Sequence, residues 1–592
     1  MLQRIIRNSA AHAVALAIIA SAAGCTESRA PEPDPTSERT APAGTFIGTR
    51  DDSGNHAWLG IRYAKPPVGE YRWRASRRAD PVEGKVLATT PGASCPQFAS
   101  RLGGEAGAHG EVRGDEDCLS LDIYAPSDLE PGEKLPVMVW IHGGGNTIGS
   151  SSVYQGAELT RRGRVVVVAI QYRLGPMGFF HHASLGQGWD KTDASGNYAI
   201  LDMIQALRWV KGNIAAFGGD PKNVTIFGES AGGRNVYSLL LAPMAAGYFD
   251  RAIVQSGSLR AASTVEAQNA VDDPSGKGHA NSSTEVLYRL LVADGTAANR
   301  DAAKAAAAAM PAAETARYLR SKSVDEIFAA YDDGEGLGMI DMPTTLRDGF
   351  VLRDREPLDS LGAGKFYRVP IIIGSNRDEL KLFLAADPEM TWQLLGFLPR
   401  IRDVDHYNAI SDAASDNWKA TGVDEPAAAI RRSGHEEIWT YRFDWDEEGS
   451  FLGTDFSELL GAGHALEIPF VFGHYELFSE LSPIFNDDNA AGRREIEDAM
   501  IGYWSEFAHK GKPGDGGTAG APVWEAGEAF LVIDTKADGG LRHSTETLTE
   551  EQVLTAIAED KRLDPKQRCE TLAETLRRQL RHDESRLGEY GC

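Results

Sequence analysis

Two stretches of the chain combine residue types that could do chemistry together: Gly228-Glu229-Ser230-Ala231-Gly232 and His142-Gly143-Gly144-Gly145. A serine hydroxyl is a weak nucleophile until a base takes its proton, and a tight strand-to-helix turn presents it best when its neighbours are small. The serine pentapeptide follows the apolar run Val224–Phe227 directly and opens a helical run from Val236 to Leu241. Ser230 would thus stand at a helix N-terminus, where developing negative charge is favoured. The G-x-S-x-G spacing alone carries little. Its placement between strand and helix makes Ser230 a candidate nucleophile rather than a plain helix cap. The glycines after Ile141 have a complementary use, because without side chains their N–H groups can point at an oxyanion. They lie one strand–helix unit upstream of the serine, where such a loop belongs.

The surrounding elements must bring these stretches to one place. Short apolar runs at Pro136–Ile141, Val165–Ile170, Val224–Phe227, Ala252–Val254, Val369–Ile373 and Phe530–Ile533 suit strands covered on both faces. Between the second and third, Ile200, Ile204, Leu207 and Ile214 fall near helical spacing. Alternation of this kind predicts an α/β fold with a large, mostly parallel sheet flanked by helices. Residues 259–345, alanine-rich and with Ser282 and Glu285 spaced as a capping box, and residues 380–435 read as helical insertions able to cap the sheet's active edge. Residues 546–592, helical from Leu548 on, read as a C-terminal tail.

With 60 basic and 85 acidic side chains among 592 residues, the net charge of -25 sets the chain against nucleic acid phosphates. Arg4, Arg7 and the short apolar core Ala13–Ala20 read as an export signal over residues 1–24, too short to span a bilayer. Cys25 follows Ser21-Ala22-Ala23-Gly24, an arrangement like a bacterial lipoprotein signal whose cysteine carries the lipid. Residues 25–43, with Pro31, Pro33, Pro35 and Pro42, read as an extended tether to a body spanning 44–545. The expected location is the cell envelope, periplasmic or on the outer membrane, with membrane contact through the lipid alone. Cys25 also accounts for the odd cysteine; the other four, in an exported protein, are expected to pair, with three connectivities open.

Further motifs carry a resemblance: Gly60–Gly69 (GIRYAKPPVG), Glu116-Asp117-Cys118-Leu119, Tyr172-Arg173-Leu174-Gly175, Gly196-Asn197-Tyr198, Ala215–Pro221 (AAFGGDP), Gln255-Ser256-Gly257-Ser258, Gly374–Glu379 and Gly463-His464-Ala465. With the two glycine motifs, in this order from about Thr45 to Asp534, the chain resembles the type B carboxylesterase (cholinesterase-like) family of α/β-hydrolases. The resemblance implies Ser230 as nucleophile, Glu379 as acid and His464 as base, in the chain order expected of that fold. It also implies the N–H groups of Gly144, Gly145 and Ala231 as oxyanion donors, a Cys95–Cys118 disulfide that leaves Cys569 with Cys592, and structural ion pairs Arg72–Glu116 and Arg173–Asp202. Asp378 competes with Glu379, and His142, His181 and His182 with His464. The implied activity is hydrolysis of a small carboxylic ester through an acyl-enzyme, with neither metal nor organic cofactor.

The chain departs from the family in places. The Cys95–Cys118 loop lacks a tryptophan, which argues against choline esters bound by cation–π attraction. Leu380 follows the acid where glycine is usual. Asn146 stands where relatives often carry an aromatic, and Arg234 and Asn235 where small residues are common; Asn146 and Arg234 would make one flank of the pocket more polar, unless Arg234 faces solvent or an acid. Two other readings stand beside the ester hydrolase: a carbamate or amide hydrolase with the same machinery, and a noncatalytic binding protein.

Overall fold

The structure, a computed structural model, describes residues 31–186, 188, 190–332, 337–475, 484–578 and 584–592. The expected signal segment and Cys25 lie outside the described residues. The core is an eleven-stranded sheet of β1 (Thr49–Arg50), β2 (His56–Arg62), β3 (Ser120–Ala125), β4 (Leu135–Ile141), β5 (Val166–Ile170), β6 (Gly219–Glu229), β7 (Arg251–Gln255), β8 (Ile371–Asn376), β9 (Ile438–Phe443), β10 (Phe530–Ile533) and β11 (Arg542–Ser544). The spatial order is β11-β10-β9-β8-β7-β6-β4-β5-β3-β2-β1. Strands β4 to β10 run parallel to one another, and antiparallel strands close both edges.

The apolar runs occupy the middle of this sheet because both of its faces are covered. Along β4, Val137, Val139 and Ile141 pack with the helices of one face, and the alternate residues Met138 and Trp140 pack into the core of the other. Helices α1 (Tyr198–Asn213) and α2 (Ala231–Leu241) supply the first layer. Each fully buried aliphatic side chain contributes roughly 1.5–3 kcal/mol relative to exposure, so strands apolar on both faces belong at the centre.

The insertion at 259–345 is helical, with α3 (Ser283–Ala293), α4 (Arg300–Ala309) and α5 (Ala312–Ser321). Its expected capping box is half formed. Ser282 accepts from the Glu285 N–H, but the Glu285 carboxylate turns instead to the Val271 N–H and to Arg300. The insertion at 380–435 is not helical throughout: a hairpin of Thr391–Leu394 with Leu398–Ile401 precedes α6 (Val404–Lys419), a π-turn at Ala420–Asp424 and α7 (Glu425–Arg432). Helix α8 (Ala490–Lys510) covers the second face. The tail forms α9 (Glu550–Glu559) and α10 (Pro565–Arg578), closed by a disulfide from Cys569 to Cys592.

The tether is shorter than expected. From Asp34 on, the chain is docked: the Asp34 N–H donates to the Gly48 carbonyl at 2.8 Å. Buried Ser37 accepts from the Trp58 indole at 2.9 Å through its carbonyl, and Arg39–Ala41 pairs antiparallel with Gly44–Ile47. Composition missed this because the segment is held by backbone hydrogen bonds rather than by apolar side chains.

Candidate active site

The site segments leave the carboxyl ends of parallel strands, where open α/β sheets gather their functional loops. β4 ends at Ile141 and runs into His142–Gly145, β6 into Ser230, β7 into Ser256, and β8 into Asp378 and Glu379. The turn after β6 explains its own glycines. A Cβ on Gly228 would stand 2.5 Å from the Ile141 carbonyl oxygen, and one on Gly232 only 1.9 Å from the same atom. Ser230 is therefore forced into φ +57°, ψ −118°, a strained conformation for a residue with a side chain, which persists only where the surroundings impose it. Its N–H is tied to the Gln255 carbonyl at 2.9 Å. Its side chain does not cap α2 and makes no hydrogen bond among the described residues.

The glycine loop lies against this turn: a Cβ on Gly143 would stand 3.2 Å from the Ser230 Cβ. Gly144 and Gly145 take φ of +91° and +65°, and the Gly144 carbonyl is occupied by the N–H groups of Thr147 and Ile148. The N–H groups of Gly144, Gly145 and Ala231 donate to no acceptor among the described residues.

His464 and Glu379 meet directly. Nδ1 of His464 stands 2.5 Å from Oε2 of Glu379, which is fully buried, and the other oxygen of Glu379 accepts the Asn376 N–H at 2.8 Å. Adjacent Asp378 points elsewhere. Its Oδ2 accepts the Ala462 N–H at 3.0 Å and the Arg377 guanidinium at 2.7 Å, anchoring the histidine loop rather than its ring. The remaining histidines stand apart from this arrangement: His142 stacks on Tyr172 at 4.4 Å with Nδ1 on the Gly143 carbonyl, and burial pushes its pKa down to about 4. His182 is likewise pushed down to about 4 by burial and by neighbouring His181.

Sequence reasoning passed over Glu229 and Glu467. Nε2 of His464 stands 3.1 Å from Oε1 of Glu229, so in this arrangement the imidazole lies between two carboxylates. Burial lowers the His464 pKa, but the charges of Glu229 and Glu379 outweigh it and raise it to about 9. Burial pushes Glu229 well above the ordinary carboxylate range, with His464 opposing and Glu467 and Glu379 adding. Glu467 is raised by burial and by Glu379, and is held by Asn376 Nδ2 at 2.8 Å and Gln255 Nε2 at 3.3 Å. Glu229 and His464 thus titrate as a coupled pair. The signal was available: Glu229 is an acid at the end of a strand whose preceding residues, Val224–Gly228, are buried on both sides.

The cap completes one wall. Trp418, on the last turn of α6, lies 4.8 Å from the His464 ring and donates to the Ser256 carbonyl at 3.1 Å; Phe383 lies 5.2 Å from the same ring. Asn146, expected to make the pocket polar, is buried and pairs amide to amide with Asn235 of α2, at 2.7 and 3.2 Å. The two departures from the motif complement each other and fasten the glycine loop to the serine helix. Arg234 is half-buried and meets no carboxylate among the described residues; it bonds the hydroxyls of Ser258 and Thr344 at 3.0 and 3.2 Å.

Elsewhere, Cys95 is bonded to Cys118. Arg72 grips Glu116 with Nε at 2.7 Å. Arg173 holds Asp202 through two bonds of 2.8 and 2.7 Å, a bidentate buried pair.

A model of the carboxylesterase family matches residues 36–395 and 388–553. The para-nitrobenzyl esterase of Bacillus subtilis is 32% identical over 513 residues, covering 84% of this chain and 94% of the relative. The cocaine esterase of Oryctolagus cuniculus is 32% identical over 524 residues, covering 82% and 88%. Among solved structures, the Geobacillus stearothermophilus carboxylesterase EST55 matches with a TM-score of 0.63 at 30% identity, over 86% of this chain and 98% of that one. With this likeness over most of its length, the chain belongs to the carboxylesterase family and is a carboxylic ester hydrolase with the α/β-hydrolase fold.

Proposed function

We propose that hydrolysis proceeds through Ser230, His464 and Glu379 by way of an acyl-enzyme. His464 takes the Ser230 proton as Oγ attacks the ester carbonyl, while Glu379 holds the ring and stabilises its cation. The N–H groups of Gly144, Gly145 and Ala231 take the oxyanion; one such donor is typically worth about 3 kcal/mol of barrier. The tetrahedral intermediate collapses, the alcohol leaves with the proton from His464, and water repeats the sequence to release the acid and restore Ser230. The observation that carries this reading is an imidazole bonded at 2.5 Å to a buried carboxylate, with its other nitrogen 3.1 Å from Glu229, the residue just before the strained, half-buried Ser230. Before substrate binds, Nε2 leans on Glu229 rather than on Ser230, and catalytic hydrogen bonds commonly close only in the substrate complex.

The aromatic wall of Trp418 and Phe383, with the relatedness to a para-nitrobenzyl esterase, supports a small ester bearing an aromatic or other flat apolar group. The N-terminal sequence supports export, lipid attachment at Cys25 and residence at the cell envelope.

The test is hydrolysis of p-nitrophenyl acetate and p-nitrobenzyl acetate by purified protein. Ser230→Ala is expected to lower kcat by at least about 10⁴-fold and to abolish labelling by an organophosphonate, with circular dichroism unchanged. A folded Ser230→Ala protein as active as the wild type would overturn the assignment. Matched ester and amide substrates separate esterase from amidase: the ester is expected to show the higher kcat/KM.

A further inference from the structure

Three residues in a row in the glycine loop hold a left-handed backbone: Gly144 at φ +91°, Gly145 at +65° and Asn146 at +64°. Such a run makes no helix or strand ladder of its own, so its place is imposed by what surrounds it. Asparagine tolerates this conformation better than most residues with a side chain, and here its side chain has a specific partner. Nδ2 of Asn235 donates to Oδ1 of Asn146 at 2.7 Å, and Nδ2 of Asn146 returns a bond to Oδ1 of Asn235 at 3.2 Å. Both residues are wholly buried. Two opposed bonds between planar amides fix angle as well as distance, and a satisfied buried polar contact of this kind holds one arrangement.

The ends of this pair sit beside groups that the proposed mechanism assigns to the oxyanion. Asn146 follows Gly145 directly, and Asn235 lies four residues beyond Ala231, one turn along the same face of α2. At their roots the loop and the helix already touch, since a Cβ on Gly232 would meet the carbonyl oxygens of Ile141 and His142 at 1.9 and 2.8 Å. Three residues further along the helix and four along the loop, the amide pair joins them again. Two more bonds tie the loop to other segments: the Asn146 carbonyl accepts the Gly175 N–H at 2.7 Å, and Thr147 Oγ1 accepts the Ile340 N–H at 3.2 Å. Neither of these reaches the helix that carries Ala231. The amide pair relates the Gly145 donor directly to the Ala231 donor.

We propose that Asn146 and Asn235 are positioning residues for ester hydrolysis, setting the spacing of the Gly145 and Ala231 N–H groups so that both reach the oxyanion of one tetrahedral intermediate. This rests on the Ser230 mechanism above. Neither amide touches the reacting atoms. An oxyanion donor displaced from the place where charge develops loses its effect on the barrier, whereas binding of the planar ester depends on it less. The loss therefore falls on kcat rather than on KM.

The experiment uses Asn235→Ala, which leaves a good helix former in α2, and Asn146→Gly, which removes the amide without strain at φ +64°. Each is read by steady-state hydrolysis of p-nitrophenyl acetate, by inhibition with an aryl trifluoromethyl ketone, and by thermal unfolding. The ketone reports the tetrahedral state: Ser230 Oγ bonds to its carbonyl carbon, the C=O π pair becomes the oxyanion, and the hydroxyl proton passes to His464, with no group leaving. Each variant is expected to lower kcat about 10–10²-fold at nearly constant KM, and to raise the ketone's inhibition constant by the same factor. The double variant should lose little more than the worse single variant, because the pair acts as one unit. Asn213→Ala removes a buried amide bonded to the Ala43 N–H and the Trp209 carbonyl; it should lower the melting temperature with kcat and the ketone's inhibition constant unchanged. Wild-type kcat and inhibition in a folded single variant, or a parallel loss in Asn213→Ala, overturns the proposal; where one single variant does not fold, the other decides. Ser230→Ala separates the two readings: an inactive Ser230→Ala beside fully active asparagine variants removes the positioning role alone, and an active one removes the mechanism beneath it.

Discussion

In the proposed mechanism the chemistry turns on His464, and its surroundings make its pH dependence informative. As the base of that mechanism the imidazole must be neutral to accept the Ser230 proton, while Glu229 and Glu379 favour its charged form and raise its pKa to about 9. The kcat/KM of the wild type is accordingly expected to climb through the alkaline range rather than near pH 6.5. Glu229→Gln removes one of the two charges, so the rising limb should move to lower pH; a limb that stays in place would show that Glu229 does not act on His464. The same raised pKa links to stability. The folded chain keeps this proton where the unfolded imidazole, at 6.5, has lost it. That contribution is complete below 6.5 and lost as pH rises toward 9. The neighbouring acids separate by geometry. Glu379→Gln removes the charge facing His464 and lets an amide N–H face Nδ1, favouring the wrong tautomer, and should cut kcat by about 10³–10⁴-fold with little change in KM. Asp378→Asn loosens the loop bonded at Ala462 and should lower the melting temperature more than the turnover. Steady-state kinetics and thermal unfolding of both variants check the distinction, which equal losses of activity would erase.

At the scale of elements, the cap is fastened by a device that can be tested alone. Lys419 and Asp424 form a buried pair at 2.5 Å across the π-turn, next to Trp418 on the His464 ring, and both reach the tail: Lys419 donates to the Glu546 carbonyl and Asp424 accepts the Leu548 N–H. Removing one partner of a buried pair costs about 3–5 kcal/mol, whereas replacing both by apolar residues is often near neutral. Asp424→Ala should therefore lower stability by that order in denaturant titration, and Lys419→Met/Asp424→Leu should recover most of it; equal losses would mean that the bonds to the tail, not the pair, hold the cap. This is also where sequence reading ran out. The central strands were legible because burial on both faces demands unbroken apolar runs. The strand β9, Ile-Trp-Thr-Tyr-Arg-Phe, lies in the same sheet but carries Thr440 and Arg442 and escaped that pattern. The hairpin inside the 380–435 insertion escaped as well, its short strands being set by cross-strand pairing rather than by periodicity. Within the site, the serine and glycine turns were visible in their small residues, and the acid and histidine through family motifs. The Glu229–His464 contact and the Asn146–Asn235 pair were not, because they join residues 235 and 89 positions apart.

At the scale of the molecule, docking of the chain from Asp34 on shortens whatever holds the body to a surface. Between Cys25 and Asp34 lie nine peptide steps, at most about 30 Å when extended. A lipid on Cys25 would then keep the catalytic body close to the membrane rather than on a long leash; a chain processed there loses Arg4 and Arg7, so its charge becomes -25 - 2 = -27, whose repulsion from an anionic surface is screened beyond a Debye length of about 8 Å. No helix among the described residues is long and apolar enough to cross a membrane. In a bacterial host, the wild-type chain is expected to take up radiolabelled palmitate and to sediment with envelope membranes. Cys25→Ser should abolish the label and release active esterase into the soluble fraction. Membrane association that survives Cys25→Ser would place the contact on the body itself and remove the lipid from the account.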